Sequence, residues 1–190
     1  MSQTDVESPV REAPRAIPEA GRLGRAIEKG AYLFAAGIVL AACILLMEVF
    51  LRYVFNRPTI WAHETTTFLC GLAFLYGGLF CVSRNSHIRV VLIYDALPAG
   101  ARRILNIFLS LLSMVAAGFF AFAAWIMVGK AFWTPQGDVR METSGSAWNP
   151  PTPALVKAFL LVILIVMAVQ FLVLAHGYLR RPVRGTESFE

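Results

Sequence analysis

The sequence predicts an all-α membrane protein: four transmembrane helices with the N and C termini cytoplasmic, plus a short interfacial helix between helices 2 and 3. Three observations predict it. Of 190 residues, 57% are hydrophobic and 15% charged, where a soluble domain is about one-quarter charged. The apolar residues gather in four blocks, 31–51, 65–82, 104–129 and 154–175, each near or above the ~20 residues that cross a bilayer as a helix. The cations are lopsided. Twelve of the 17 Lys and Arg precede the first block, lie between the second and third, or follow the fourth, whereas Arg52, Arg57, Lys130, Arg140 and Lys157 fall in the alternate positions. Positive residues stay cytoplasmic, so both ends are expected inside. The net charge of +5 is therefore a topology signal and a contact with membrane lipid; nucleic acid is not expected as a partner.

Residues 1–20 hold Pro9, Pro14 and Pro18 among Ser, Glu and Arg and read as a disordered cytoplasmic tail. Residues 21–180 form the four-helix transmembrane domain, with spans at about 31–55, 65–82, 104–129 and 154–175, and 181–190 form a second cytoplasmic tail. Residues 21–30 lead in along the membrane surface, with Arg22, Arg25 and Lys29 at helical spacing. Leu40-Ala41-Ala42-Cys43 has the look of a lipoprotein cleavage box, but Ile44-Leu45-Leu46-Met47 continues the apolar run, so the block is read as an uncleaved span. Cys43, Cys70 and Cys81 all lie inside blocks. Their odd number and the lack of CxxC argue against a disulfide framework.

Helix 1 contains the one acid embedded in an apolar block, Glu48, with Arg52 four residues on. Acid before base is the favourable helical orientation. Two readings fit: a self-contained ion pair, or a polar contact with a partner helix. Residues 56–59, Asn56-Arg57-Pro58-Thr59, make a tight periplasmic turn. Trp61 heads helix 2 at an aromatic-belt position, and Glu64 in the first helical turn suits the helix dipole. Gly71, Gly77 and Gly78 in helix 2 and Ser113, Ala117 and Ala121 in helix 3 are small residues of the kind that let helices approach; they pack internally or face another subunit. Residues 83–98, with His87 at the start and Pro98 at the end, are too apolar for a free loop and too short to span, which fits a helix in the cytoplasmic interface. The loop between helices 3 and 4 carries Trp133, Pro135, Trp148, Pro150, Pro151 and Pro153 and is the largest structure offered to the periplasm.

No GxSxG, HExxH, Gly-rich phosphate loop or adjacent Cys and His occurs, so an enzyme is not expected. Helices 2 and 3 lack charged residues in their interiors and helix 4 offers only Lys157 near one end and Gln170. An autonomous carrier would need polar sites near the midplane and internal repeats. No cofactor and no metal is expected, since haem would need facing axial ligands inside a bundle and His63, His87 and His176 all lie outside the spans' interiors. A four-helix redox protein binding haem or quinone is the alternative.

From Glu48 to Leu97 the chain is more specific. Glu48-Val49-Phe50-Leu51-Arg52-Tyr53-Val54-Phe55-Asn56, Pro58, Trp61-Ala62-His63-Glu64, Gly77-Gly78 and His87-Ile88-Arg89-Val90 follow in an order and spacing that resembles the small membrane (Q-type) subunit of tripartite ATP-independent periplasmic (TRAP) transporters. His63 stands where that family usually has the first acid of a pair, and Val91 where it usually has Asp. The resemblance implies a bacterial inner-membrane protein that packs as scaffold against a large membrane subunit. That larger subunit carries an organic acid inward by symport on an ion gradient, after delivery by a periplasmic substrate-binding protein. It also makes Glu48, Arg52, Asn56, Trp61, Glu64, His87, Arg89 and Trp148 candidates for partner contact.

Overall fold

The computed structural model describes residues 18–84 and 98–180. A 3-10 turn, Pro18–Ala20, leads into α1, Gly21–Tyr53. α2 is Trp61–Ser83, α3 Ala99–Phe132 and α4 Thr152–Arg180. Among the described residues there is no strand, only one isolated bridge, Trp133 with Val139. All four helices are long and apolar enough to cross a membrane. Helix is the form such segments must take, because hydrocarbon supplies no partner for backbone N–H and C=O groups.

Helix boundaries sit where proline and left-handed backbone place them. α3 follows Pro98, whose extended ψ of 154° sets it outside the helix as N-cap. α4 follows Pro150 and Pro151 and carries Pro153 in its first turn, where a missing N–H costs nothing. α1 gives out after Tyr53, and Asn56 takes φ 51°, a left-handed value that Asn tolerates better than most residues. The lead-in at residues 21–30 is continuous with the first span. The 33 residues of α1 reach about 50 Å at 1.5 Å each, more than the hydrocarbon needs, so one end of the helix stands clear of it.

The helices alternate in direction. At one end of the array the start of α1, the end of α2 and the end of α4 meet in a cluster of Ala20, Val82, Leu174 and Tyr178; a second cluster joins Ile27, Leu79 and Ile163. We call this the terminal end, since both the first and the last described helix ends lie there. Polar clips reinforce it. Tyr76 Oη donates to the Ile27 carbonyl at 2.6 Å, Arg84 pairs with Glu28 at 2.8 Å and lies over the Phe80 ring, and Arg103 Nε donates to the Tyr178 carbonyl at 2.9 Å. Gln170, fully buried in α4, donates to the Ala20 carbonyl at 3.3 Å. Two glycines are required here. A Cβ on Gly30 would lie 2.1 Å from Tyr76 Oη, and one on Gly177 would lie 2.9 Å from the Glu19 carbonyl oxygen.

α3 packs chiefly on α4, and α1 on α2, with α2 and α4 joining the two hairpins. The inward face of α3 is small and mildly polar: Ser110, Ala117, Ala124 and Ala131 are buried at seven-residue steps, with Asn106 one turn before them. That period is the one that keeps two nearly parallel helices in contact. Ser113 and Ala121 flank this seam, partly buried. The glycines of α2 behave differently: a Cβ on Gly71, Gly77 or Gly78 would meet nothing within 4 Å, because α2 makes its contacts through Tyr76, Leu79, Phe80 and Val82. Large apolar side chains face outward along the array, among them Phe108, Phe119, Phe122 and Trp125 of α3. This is the reverse of a soluble bundle and suits a surface covered by lipid or another membrane protein.

Candidate functional site

Two further polar clusters lie at the opposite end, which carries the turn 54–60 and the loop 133–151. The first cluster is built on Glu48. It is buried, with 7% of its surface exposed. One carboxylate oxygen accepts from Arg52 at 2.7 Å and 3.2 Å, and the other accepts from the Thr59 backbone N–H at 2.9 Å and from the Thr59 hydroxyl. Asn56 makes this possible. Its left-handed φ turns the chain so that the Arg57 N–H donates to the Leu51 carbonyl at 2.9 Å, and Pro58 follows with φ pre-set by its ring, returning Thr59 over Glu48. Arg52 lies half in solvent, its side chain 56% exposed. The spacing of Glu48 and Arg52 foretold the pair; the part played by Thr59 had no sequence signal beyond a hydroxyl after proline.

The second cluster ties the long loop to α2 and α4. The loop folds back on itself through the Trp133–Val139 bridge, with Gly137 at φ 93° in the intervening turn. The Glu142 N–H donates to the Ala131 carbonyl at 2.8 Å, and the Glu142 carboxylate pairs with Lys157 of α4. Ser144 Oγ reaches both oxygens of Glu64, at 3.3 and 3.2 Å. Beyond it Ser146 Oγ accepts from the N–H groups of Trp148 and Asn149 at 3.2 and 3.0 Å, and Asn149, at φ 50°, accepts from the Gly145 N–H at 3.0 Å. The loop is thus a knit structure, and it presents Trp148 with 48% of its surface exposed. Ser144, Glu142 and Lys157 were not identified from sequence as a unit. Glu142 and Ser144 sit within the long loop, Lys157 lies 15 residues after Glu142 and Glu64 lies 80 residues before Ser144, and no spacing rule joins them.

Between α2, α4 and this loop lies an open cleft of about 660 Å³. Its rim carries His63, Glu64, Ser144 and Lys157, and its floor Phe68, Gly71 and Val156. Trp61 opens α2 at the same end and is exposed. His87 and Arg89 lie outside the described residues. The structure therefore brings Glu48, Arg52 and Asn56 into one cluster with Thr59, sets Glu64 in the second, and leaves Trp61 and Trp148 facing outward.

Among the described residues no group of His, Cys, Asp and Glu could hold a metal ion. His63 and His176 are both exposed and sit at opposite ends of the array, too far apart to serve as paired axial ligands. Cys43, Cys70 and Cys81 are free thiols.

Residues 31–180 match the family described as "Tripartite ATP-independent periplasmic transporters, DctQ component". Over 89 residues the chain is 30% identical to the "C4-dicarboxylate TRAP transporter small permease protein DctQ" of Vibrio cholerae. That stretch covers 46% of this chain and 36% of the relative, so the match spans about a third of the other protein's length.

Proposed function

The chain belongs to the DctQ component family of tripartite ATP-independent periplasmic transporters, and from that premise we propose that it packs against the large membrane subunit as scaffold for ion-gradient-driven uptake of an organic acid delivered by a periplasmic binding protein. It is the small permease subunit of such a transporter, a multi-pass protein of the bacterial inner membrane. One observation supports the scaffold role above others. Glu48, the single acid inside an apolar block, has both carboxylate oxygens occupied by Arg52 and Thr59. A carrier moves charge by binding and releasing it at ionisable groups within the membrane, and this carboxylate is committed to holding a turn. The outward-facing aromatic and aliphatic side chains of α3 agree with a part that is covered by lipid and protein.

The resemblance of the relative's name to a C4-dicarboxylate system favours a carboxylate as solute here. Arg52, Trp61, Glu64 and Trp148 lie at the end with the turn and the long loop, which the cation bias assigns to the periplasm; these four supply contacts with the partners. Glu48 and Asn56 contribute indirectly, by shaping the turn. His87 and Arg89 belong, on the same bias, to the cytoplasmic side.

Liposome reconstitution tests the proposal. The chain alone should move no organic acid, and uptake should need the large subunit and the binding protein together. Uptake by the chain alone would overturn the scaffold role, and a haem or quinone absorption spectrum from the purified protein would establish the redox reading instead. In the complete system Trp148→Ala should raise the amount of binding protein needed for half-maximal uptake while leaving the maximal rate similar. An unchanged requirement would assign Trp148 to the membrane belt.

A further inference from the structure

On the reading that this chain is the small subunit of a TRAP transporter, we propose that the cleft between α2 and α4 is the seat of an apolar segment of the large membrane subunit bearing a lysine or arginine that pairs with Glu64. Leu79 and Ile163 share a cluster, and Val82 and Leu174 share another, so α2 and α4 are held together near the terminal end. Toward the long loop a cleft of about 660 Å³ lies open, lined by both helices. The chain does not fill this space itself: a Cβ on Gly71, in its floor, would meet no atom within 4 Å.

The charges at the rim decide what fills it. Glu64 is partly buried. Its two oxygens share a single proton from Ser144 Oγ, whereas a carboxylate has about four acceptor sites. No cation pairs with it among the described residues, since the nearby Lys157 is bound to Glu142. With Lys157 neutralised by Glu142, the charge left over at the rim is that of Glu64, with His63 exposed beside it. A phospholipid fits poorly, because its phosphate would face the Glu64 carboxylate and a lysine already paired. A soluble protein fits poorly too, because the floor of Phe68, Gly71 and Val156 is apolar and lies below the rim. A membrane segment meets both demands, with apolar side chains against the floor and a cation at Glu64. An acid close to the bilayer is costly without such a partner, and Arg is enriched at interface anchors of this kind.

The test uses the co-expressed complex. In a chain with Cys43, Cys70 and Cys81 replaced by Ser, single cysteines are placed at Thr67 or Val156 in the cleft, or at Phe119 on the outward face of α3, 73% exposed, and each is labelled with a photoreactive group. Thr67→Cys and Val156→Cys should join to the large subunit, and Phe119→Cys about tenfold less. In the native background Glu64→Gln keeps an acceptor for Ser144 but removes the charge. It should lower co-purified large subunit by about tenfold, while Phe119→Ala leaves the yield unchanged. Cross-links from Phe119 and none from the cleft would overturn the inference while leaving the subunit role intact. So would full complex with Glu64→Gln, or a loss of bound phospholipid in its place. If the unaltered chain fails to co-purify the large subunit at all, the subunit role itself falls and the cleft's assignment with it.

Discussion

Glu48 has two oxygens and four donors converging on them, from Arg52 and Thr59. The two donors' residues differ in what their loss would do. Without Arg52 the carboxylate keeps both hydrogen bonds from Thr59, and the guanidinium removed was more than half exposed, so Arg52→Ala should cost only about 1 kcal/mol, as exposed ion pairs do. Without Glu48 the turn loses its anchor and the Thr59 N–H loses its acceptor; Glu48→Ala should cost about 2–4 kcal/mol, the sum of one or two hydrogen bonds to a charged group. Thermal unfolding of the purified protein in detergent measures both, and equal losses would contradict the picture of Thr59 as second holder. The i,i+4 pair was legible in the sequence because helix geometry alone brings those positions together. Thr59 was not, because its approach depends on the left-handed turn at Asn56, a backbone choice that sequence spacing does not encode.

α3 shows the same division at the next scale. Its length and uniform apolarity predict a span, and the helix of 34 residues contains the block 104–129 entire. Which side faces inward is another matter. Ser113, Ala117 and Ala121 stood out at four-residue steps, whereas the buried seam runs Ser110, Ala117, Ala124, Ala131 at steps of seven; helix α4, running alongside at close approach, selects the heptad. Ala124→Leu, which adds volume at a position 4% exposed, should therefore destabilise the protein by about 1–3 kcal/mol, the usual cost of overfilling a packed contact. Gly118→Leu, where a new side chain meets nothing within 4 Å, should cost less than a third of that or stabilise through better helix propensity. Detergent unfolding midpoints of the two variants check the ranking, and a larger loss at Gly118 would reverse the face assigned to α4. The same open environment at Gly71, Gly77 and Gly78 removes these glycines from the internal packing for which their size suited them.

For the whole molecule, the alternation of four helices puts the start of α1 and the end of α4 at one end of the array, and the cation bias predicts a cytoplasmic position for that end. Reporter fusions after residue 184 should be active in the cytoplasm and fusions within residues 137–145 active in the periplasm; the reverse pattern would invert the protein in the membrane. The sequence by itself determined the number of span-length helices and the family, and set an expected orientation, because hydrocarbon thickness, backbone hydrogen bonding and charge bias act on local composition. It could not reveal that α2 and α4 share core clusters at the terminal end and line an open cleft at the other, that the long loop is pinned by Glu64 and Lys157, or that Tyr76 requires Gly30. Those features join residues tens of positions apart. In four helices apolar on nearly every face, hydrophobicity no longer distinguishes inside from outside, so only the meeting of the helices in three dimensions decides which side chains touch.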